Sequence, residues 1–447
     1  MVLPFVWRCY IWHSQDNKEG KSVIGSNQGM RIVLRGGWLH CSETKISGIG
    51  DLWIRDGKIE AIQMGESQML PSNVNVIDCT GKWIAPGLVD VCTFCGELGV
   101  QHRETFDSLT QAALAGGYTD IVLGPWGEPC VDTPAVVTDL LARSAQYPIR
   151  YHALGSLTVG LRGVDLAEMG LMKRAGVIGF CDGLSPIASS VVLRKSLQYA
   201  ERLDLPVFLT PSDPDLDTEG VMHEGEVSTR IGLPGIPFAS EEMSLAKIVS
   251  LERDTGARCC ALPIGSKDSL AYSKVIDSTV RIGISARSLY LSDQDIEDDL
   301  YNPSLHIYPP LRSDPEGLRD LVQSGQVDLV FAHHIPLTRV EQDCEFSMAS
   351  AGAMGLETAL SVAHVQVKDL SLLWEKMCFQ PARFLGLSKG LHVGSDLDIV
   401  IFDPHLEWTP QTPFQSKGIN EPLLGKTLMG RVCATLTAKH MDLDGVL

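Results

Sequence analysis

The chain has 447 residues, more than one compact core normally holds, because single cores stop growing at about 250–300 residues. A large domain with a smaller companion is therefore expected. Its formal net charge of −18 argues against nucleic acid or an anionic membrane as a partner, since both attract basic surfaces.

The spacing of the cysteines and the length of the apolar runs predict the cellular compartment of the protein. Twelve cysteines are scattered from Cys9 to Cys433 without the dense spacing of a disulfide scaffold, so we predict reduced thiols. No apolar run approaches the roughly 18–20 residues that cross a bilayer. We expect a cytoplasmic protein with no membrane partner.

The N-terminal region divides into a tail and a β-rich segment. Residues 1–29 match nothing that follows and lack a small-residue cleavage site, so we interpret them as an extension or a misassigned start. Met30 is then the candidate initiator. Short β-rich runs follow it, and Asp56-Gly57 is typical of a hairpin turn. We assign residues 30–84 to a small β domain.

Residues 85–387 alternate between short apolar runs and amphipathic helical segments. The strand candidates are LVDVCTF, YTDIVLGP, IRYHALGSL, GVIGFCDG, LPVFLTPS, GARCCALP, VRIGISA and VDLVFAHH. This alternation predicts an α/β fold with a parallel sheet, and eight repeats indicate a closed (β/α)₈ TIM barrel. In such barrels the functional residues lie at the carboxyl ends of the strands.

The last part of the chain returns to strand character. SDLDIVIFDP and LMGRVCATLTA are β-rich runs within residues 388–447. The simplest arrangement pairs them with residues 30–84. We therefore predict a small β-sandwich domain formed by both chain ends beside the barrel.

Several long strings resemble one known family. They are APGLVDVCTFCGELGVQHRETFDSLTQAALAGGYTDIVLGP, SDPDLDTEGVMHEGEVSTRIGLPGIPFASEE, PPLRSDPEGLRDLVQSGQVDLVFAHHIPL, GAMGLETAL and QPARFLGLSKGLHVGSDLDIVIFDP. This pattern resembles the dihydroorotases of the amidohydrolase superfamily, over almost everything from Met30 onward. The resemblance implies the amidohydrolase type of barrel and, in active members, a zinc site.

The first two barrel strands depart from the family pattern. The resemblance implies two zinc-binding histidines after the first strand, and these positions hold Cys92 and Phe94. The arginine that would bind the substrate carboxylate is Gly96. The asparagine expected after the second strand is Trp126. Asp90 keeps its family identity.

The middle strands depart in the same way. Asp182 matches a bridging acidic position, but the second aspartate expected there is Gly183. The histidine and glutamate implied after the fifth strand are Thr210 and Ser212. The metal-binding histidine expected after the sixth-strand region falls near Pro263.

The last two barrel strands lack further residues of the family's site. The family's paired histidines become Arg287 and Ser288. The aspartate that binds metal and acts as general acid/base falls at His333. His334 matches a family histidine, whereas the last histidine of that motif is Leu337.

These losses bear directly on the chemistry. Zinc would activate a water by lowering its pKa to about 7 and would polarise the carbonyl, but it needs three or four convergent ligands. The remaining candidates are Cys92, Asp182, His333 and His334. We expect no metal and no cofactor, and zinc with these ligands only under the alternative of an active enzyme.

Two cysteine pairs invite a metal or redox interpretation. Residues three apart on a strand point to opposite faces, so Cys92 and Cys95 converge only where the strand bends. Cys259 and Cys260 are adjacent and also face opposite ways. We favour burial for both pairs.

Five other positions each have two interpretations. His333 and His334 are either a residual ligand pair or hydrogen-bonded relics. Asp182 is either a ligand or the cap of the next helix. For Trp126 we favour packing over recognition, and Arg312 lies at the pocket mouth or in a surface salt bridge.

The resemblance and the lost site together predict a non-catalytic dihydroorotase-like protein of pyrimidine biosynthesis. The resemblance implies a role in organising or stabilising aspartate carbamoyltransferase, or in self-association. The alternative is an active dihydroorotase, or an allantoinase- or hydantoinase-like cyclic-amide hydrolase with unconventional ligands. A third interpretation is a protein that binds small molecules in the emptied barrel mouth.

Overall fold

A computed structural model describes residues 31–65, 71, 74–270, 278–443 and 445–446. The predicted extension at residues 1–29, together with Met30, lies outside these residues. Within the described ranges, no helix has the length and apolar character to cross a membrane. The cysteines in these ranges are all free thiols.

The secondary structure alternates as the sequence predicts. The strands are β1 (Arg31–Cys41), β2 (Ile46–Arg55), β3 (Lys58–Met64), β4 (Val74–Asp78), β5 (Trp83–Pro86), β6 (Leu88–Thr93), β7 (Tyr118–Leu123), β8 (Arg150–Gly155), β9 (Gly179–Cys181), β10 (Val207–Leu209), β11 (Met222–His223), β12 (Gly235–Ile236), β13 (Cys259–Ala261), β14 (Arg281–Ser285), β15 (Leu329–Phe331), β16 (Asp398–Trp408) and β17 (Leu428–Thr437). The α-helices are α1 (Phe106–Gly116), α2 (Pro134–Ser144), α3 (Met169–Ala175), α4 (Ser190–Arg202), α5 (Glu226–Ile231), α6 (Phe238–Thr255), α7 (Gln294–Asp298), α8 (Pro315–Gln323), α9 (Arg339–Gln342), α10 (Ala359–Val367), α11 (Leu370–Trp374) and α12 (Gln380–Leu385). A π-helical turn, Glu375–Phe379, joins the last two.

A parallel barrel forms the larger part of the molecule. Among the described residues its sheet has eight strands in the order β6-β7-β8-β9-β10-β13-β14-β15, each derived from one of the predicted apolar runs. Two hydrogen bonds link the last strand region to the first: the Phe94 N–H donates to the His334 carbonyl at 3.0 Å, and the Ala332 N–H donates to Asp90 Oδ1 at 2.7 Å. The predicted (β/α)₈ barrel is confirmed.

The barrel interior explains the continuous apolar character of these strands. Strands of a parallel barrel are buried on both faces, so both sets of alternating side chains are apolar. The interior is filled by Val89, Val91, Cys92, Val122, Leu154, Cys181, Phe208, Cys260, Leu262, Leu329 and Phe331. Cys95 and Cys259 belong instead to the larger core that lies outside the barrel interior. Each of the two cysteine pairs is therefore buried, with one thiol inside the barrel and the other outside it.

Strands from both chain ends form one mixed sheet beside the barrel. Its order is β17-β16-β5-β1-β2-β3, and β4 also pairs with β1. The pairing register of β1 shifts between Leu34 and Gly37, so its first half pairs with β4 and its second half with β5. Gly36 has a φ of 70° at this bend, a conformation that glycine adopts without steric cost. The hairpin predicted at Asp56-Gly57 joins β2 to β3.

A buried ionic cluster joins the mixed sheet to the barrel. Lys389 Nζ lies 2.6 Å from Asp120 Oδ2 on β7 and 3.0 Å from Asp398 Oδ2 on β16. It also donates to Thr119 Oγ1 at 2.7 Å. Arg150 pairs with both aspartates from the more exposed side. The cluster connects strands that are far apart in the sequence.

Candidate functional site

A small cavity lies at the carboxyl ends of the barrel strands. Its empty volume is about 270 Å³. The lining residues are Cys92, Trp126, Cys181, Gly183, Leu184, Phe208, Leu209, Thr210, Leu262, Pro263, Phe331 and His333. Six of the positions singled out by the sequence therefore meet here: Cys92, Trp126, Gly183, Thr210, Pro263 and His333. This is the cavity in which a barrel of this type holds its site.

Aromatic side chains occupy part of the barrel mouth. The rings of Phe94 and Trp126 pack with their centroids 6.2 Å apart. A Cβ added at Gly183 would lie 2.3 Å from Trp126 Nε1, so the indole lies directly against that backbone. The Arg103 guanidinium lies 5.6 Å from the Phe94 ring centroid. This arrangement matches the packing interpretation of Trp126.

The backbone at Gly96 leaves no room for a substrate-binding arginine. A Cβ built there would lie 2.3 Å from the Val100 carbonyl oxygen and 2.5 Å from that of Glu104. Real Cβ atoms essentially never approach backbone so closely. Any side chain at position 96 therefore requires this loop to move.

His333 is buried in the cavity wall, and neither of its ring nitrogens has a hydrogen-bond partner among the residues that the structure describes. Its backbone φ is 52°, which is uncommon for a residue other than glycine. Burial, and then the nearby charge of Arg287, lower the pKa of His333 to about 3. The ring is therefore neutral near pH 7, and can offer one donor and one acceptor to a molecule in the cavity.

His334 points away from the cavity and has both ring nitrogens engaged. Its Nδ1 accepts from the Gly355 N–H at 3.2 Å, which places the ring proton on Nε2, 3.3 Å from Glu104 Oε2. Burial raises the pKa of Glu104, but the His334 contact and the Ser108 and Ser416 hydroxyls outweigh it and leave that pKa lowered. His334 thus belongs to a buried hydrogen-bond network.

Arg287 replaces one of the family's paired histidines and binds backbone rather than a ligand. Its Nη2 lies 2.8–3.2 Å from four carbonyl oxygens, those of Ala332, His333, Ala353 and Met354. Burial lowers the pKa of Arg287 to about 10. The guanidinium holds the strand end that carries His333 against the following loop.

Asp182 has neither of the roles predicted for it. Its Oδ1 accepts from the Leu157 and Thr158 N–H groups at 2.7 and 3.1 Å, and its Oδ2 accepts from Thr158 Oγ1 at 2.5 Å. The cap of the next helix is Ser189. Burial raises the pKa of Asp182. Because the neighbouring strand end presents these donors, the carboxylate organises the loop after β8.

Arg312 is buried, so its interpretation as a surface salt bridge is wrong. Its Nε lies 3.3 Å from Glu241 Oε2, and its Nη1 donates to His223 Nδ1 at 2.8 Å. Glu241 also accepts from the Gly265 and Ser266 N–H groups. Burial and the charge of Arg312 lower the pKa of His223 to about 4, which agrees with its role as acceptor. This group fixes the loop that follows β13.

The residues present do not fit a zinc ion. Cys92 and His333 share the cavity, but Asp182 is bound to the β8 loop and His334 to a buried glutamate. A hydrogen bond with Cys181, together with burial, raises the pKa of Cys92. Throughout the described part of the chain, no group of three or more His, Cys, Asp or Glu is placed to hold a metal. The alternative ligand set is therefore wrong as a set.

The structure adds residues that the sequence alone did not single out. Glu104 and Glu241 are both fully buried acids that pair with His334 and Arg312. Both lie inside strings that resemble the family, HRETF and FASEE. Their position in those strings was the available signal, but an acidic residue before or within a helix is ordinarily a cap or a solvated side chain.

We predict opposite effects of phenylalanine at the two adjacent histidines. His333→Phe removes two buried nitrogens that lack partners, so we expect the free energy of unfolding to rise by about 1 kcal/mol. His334→Phe removes a partner from the buried carboxylate of Glu104, so we expect a loss of about 2 kcal/mol. Urea unfolding of both variants checks this. A loss at position 333 equal to that at 334 contradicts it.

Comparison with known proteins identifies relatives along nearly the whole chain. A family model described as Dihydro-orotase-like matches residues 81–269. A protein named dihydroorotase from Pelotomaculum thermopropionicum is 34% identical over 420 residues, covering 91% of this chain and 97% of that protein. A protein named dihydroorotase-like protein from Pseudomonas aeruginosa is 33% identical, covering 93% of this chain and 100% of the relative.

Solved structures share the fold at lower sequence identity. The L-hydantoinase (dihydropyrimidinase) of Arthrobacter aurescens has a TM-score of 0.79 and 20% identity, covering 93% of this chain and 97% of that chain. The D-hydantoinase of a Thermus species has a TM-score of 0.77 and 17% identity, covering 93% and 96% respectively. Given the extent and identity of the sequence matches, this chain belongs to the dihydroorotase-like family.

Proposed function

We propose that this chain is a member of the dihydroorotase-like family that does not turn over dihydroorotate. The single observation that carries the proposal is the composition of the barrel mouth. The positions of the first-strand histidines hold Cys92, a thiol hydrogen-bonded within the core, and Phe94, a ring packed on Trp126. Phe94 offers no ligand atom, and Cys92 alone does not make a zinc site, which needs three or four convergent ligands.

Substrate recognition offers a second, independent support. The carboxylate of dihydroorotate calls for a bidentate cation, which arginine supplies best. Gly96 replaces that arginine and is enclosed by backbone oxygens. Of the nearby arginines, Arg287 binds four carbonyls and Arg312 is held by Glu241. Within the described residues, both guanidinium groups are therefore held by protein acceptors, and the buried Nη1 of Arg287 has no partner.

Turnover and bound metal are the measurements that test this proposal. We expect the purified chain to show no dihydroorotase activity in either direction, with or without added zinc, and no stoichiometric metal. The protein named dihydroorotase from Pelotomaculum thermopropionicum, assayed alongside, serves as the matched reference. Zinc-dependent turnover by this chain, with zinc bound at one or more equivalents, would overturn the proposal.

The alternative is an active cyclic-amide hydrolase. It is favoured by the names of the relatives, several of which are called dihydroorotase, and by the hydantoinase titles of the solved structures. His333 is the polar group best placed to act in such an enzyme, because its unpartnered ring faces the cavity. If activity is found, His333→Phe should abolish it.

A non-catalytic chain needs another role, and we propose a structural one. The resemblance points to aspartate carbamoyltransferase as the partner, with self-association as the other possibility. Two strongly exposed apolar side chains, Val340 and Met348, lie in the segment that follows β15 and its histidines. Light scattering after gel filtration, with and without the carbamoyltransferase of the same cell, tests this role. A chain that stays monomeric in both runs contradicts it.

Binding of a small molecule without turnover is a third role, to which His333 lends support. His333 lines the cavity, and its two buried ring nitrogens have no hydrogen-bond partner among the described residues. A thermal-shift screen of ureides and pyrimidine precursors tests it, because a ligand that binds only the folded state raises the melting temperature. A screen without any such rise leaves no support for this role.

A further inference from the structure

A second cavity lies beside the first and is separated from it by the ends of β9 and β10. It extends between the helices α4 and α6, and the space between its walls, part of it open to solvent, is about 340 Å³. The residues of its lining that matter here are Ser185, Thr210, Ser244 and Lys247 on the polar side, and Leu193 and Ile248 on the apolar side. We call this cavity the α4–α6 cleft. Its lining also includes Asp182, Thr210 and Ser212, which match positions of the family's site.

Lys247 faces the cleft without an acidic partner. Within the described ranges, no carboxylate lies within ion-pair distance of its ammonium group. The ammonium donates a hydrogen bond to the Ile187 carbonyl at 3.3 Å. An ammonium group has three donors, so two remain for a ligand. An unpaired lysine in a partly buried cleft is notable in a chain whose net charge is −18.

Ser244 supplies a second, independent observation. Ser244 lines the same cleft, and its buried Oγ has no hydrogen-bond partner in the described part of the chain. Ser244 lies three residues before Lys247 on α6, so the two side chains occupy the same helix face. A buried hydroxyl without a partner is unfavourable, and a ligand oxygen in the cleft would satisfy it.

The acid that borders the cleft does not compete for the lysine. Asp182 contributes to the lining, but its two oxygens accept hydrogen bonds from Leu157 and Thr158 on the far side. The remaining surface is largely apolar, with Leu193 and Ile248 facing each other from the two helices. Apolar walls with a few placed polar groups are typical of small-molecule sites.

We propose that the α4–α6 cleft binds a small organic anion. Its carboxylate or phosphate group is held by the Lys247 ammonium and the Ser244 hydroxyl, and its short apolar body packs between Leu193 and Ile248. The site takes part in no bond-making step. It is independent of whether the chain turns over dihydroorotate, because none of these four residues belongs to the cavity that contains His333.

Binding to the full-length chain tests the proposal. The protein is titrated with butyrate and, separately, with propyl phosphate at constant ionic strength, and followed by calorimetry and amide chemical shifts. We expect saturable binding that shifts the amides of Ile187 and Ile248. Lys247→Met should weaken it by about tenfold or more, since hydrogen bonds to a charged group are the strong ones. Lys195→Met, an exposed lysine of α4 outside the cleft, is the matched control and should bind normally.

Ser244→Ala separates binding from folding. Because the hydroxyl has no partner among the described residues, its removal should not lower the melting temperature, whereas it should weaken anion binding. Saturation by butyrate alone assigns a carboxylate ligand, saturation by propyl phosphate alone assigns a phosphate, and saturation by both supports the shared chemistry. If neither anion saturates, or if both Lys247→Met and Ser244→Ala bind like wild type, the proposal is wrong.

Discussion

Replacing Lys389 with methionine should lower the free energy of unfolding by about 3–5 kcal/mol, the usual cost of removing one partner from a buried ionic group. The ammonium is buried, with a side chain that is 1% exposed, and it lies between the carboxylates of Asp120 and Asp398. Without Lys389, Arg150 is the cation that still pairs with both carboxylates, and its side chain is 45% exposed. Chemical unfolding of the variant measures the loss.

A lysine with the same type of partner in solvent provides the control. Lys58 pairs with Asp396 at 2.8 Å, but both side chains are more than half exposed, so Lys58→Met should cost about 0–1 kcal/mol. The double variant Lys389→Met/Asp398→Asn should recover part of the loss, because one of the two uncompensated charges is removed. Equal losses for Lys389→Met and Lys58→Met would contradict the structural role of the buried cluster.

Replacing Glu421 with glutamine should stabilise the protein at pH 8 by about 3 kcal/mol and have little effect at pH 4. Burial raises the pKa of Glu421 from 4.5 to about 7 in the folded protein. The folded state therefore favours the protonated acid. This contribution is fully present below pH 4.5 and is lost as the pH rises to 7, whereas glutamine stays neutral throughout.

The local geometry can accept this change. Glu421 accepts hydrogen bonds from the Leu423 N–H at 3.1 Å and from Thr358 Oγ1 at 3.2 Å. An amide oxygen keeps the first, and the amide nitrogen can donate to the threonine hydroxyl in place of the second. The measurement is the difference in unfolding free energy between variant and wild type from pH 4 to pH 8.

An exposed glutamate isolates this effect from the general titration of the protein. Glu226 has a side chain that is 92% exposed, so Glu226→Gln should change the free energy of unfolding much less at pH 8 than Glu421→Gln does. A difference between Glu421→Gln and wild type that stays constant from pH 4 to pH 8 would contradict the prediction for Glu421.

The fold was largely predictable because its signal is local. Each apolar run of the barrel became a strand, since strands buried on both faces leave a continuous apolar pattern. Asp56-Gly57 also became the turn of a hairpin, because both residues accept a positive φ. The bend in β1 was not foreseen: it depends on which strands pair with the two halves of β1.

The positions of the candidate-site residues were predictable from the sequence, but the hydrogen-bond partners of those residues were not. Cys92, Thr210, Pro263 and His333 do meet in one cavity, because carboxyl ends of parallel strands converge at one end of a barrel. Asp182, predicted as a ligand or a helix cap, binds the neighbouring loop instead. A carboxylate accepts hydrogen bonds from whichever donors the fold places near it, and the residue type alone does not identify those donors.

The sequence by itself determined the alternation of strands and helices, the burial of the two cysteine pairs and the identities that replace the family's metal ligands. Only the tertiary structure decided the partners of the buried charges. His334 and Glu104 are 230 residues apart in the chain, and Lys389 and Thr119 are 270 apart. The pattern of apolar and polar residues indicates whether a residue is buried, because this periodicity is a local property of the chain. The pairing of buried polar groups depends instead on which distant strands become neighbours.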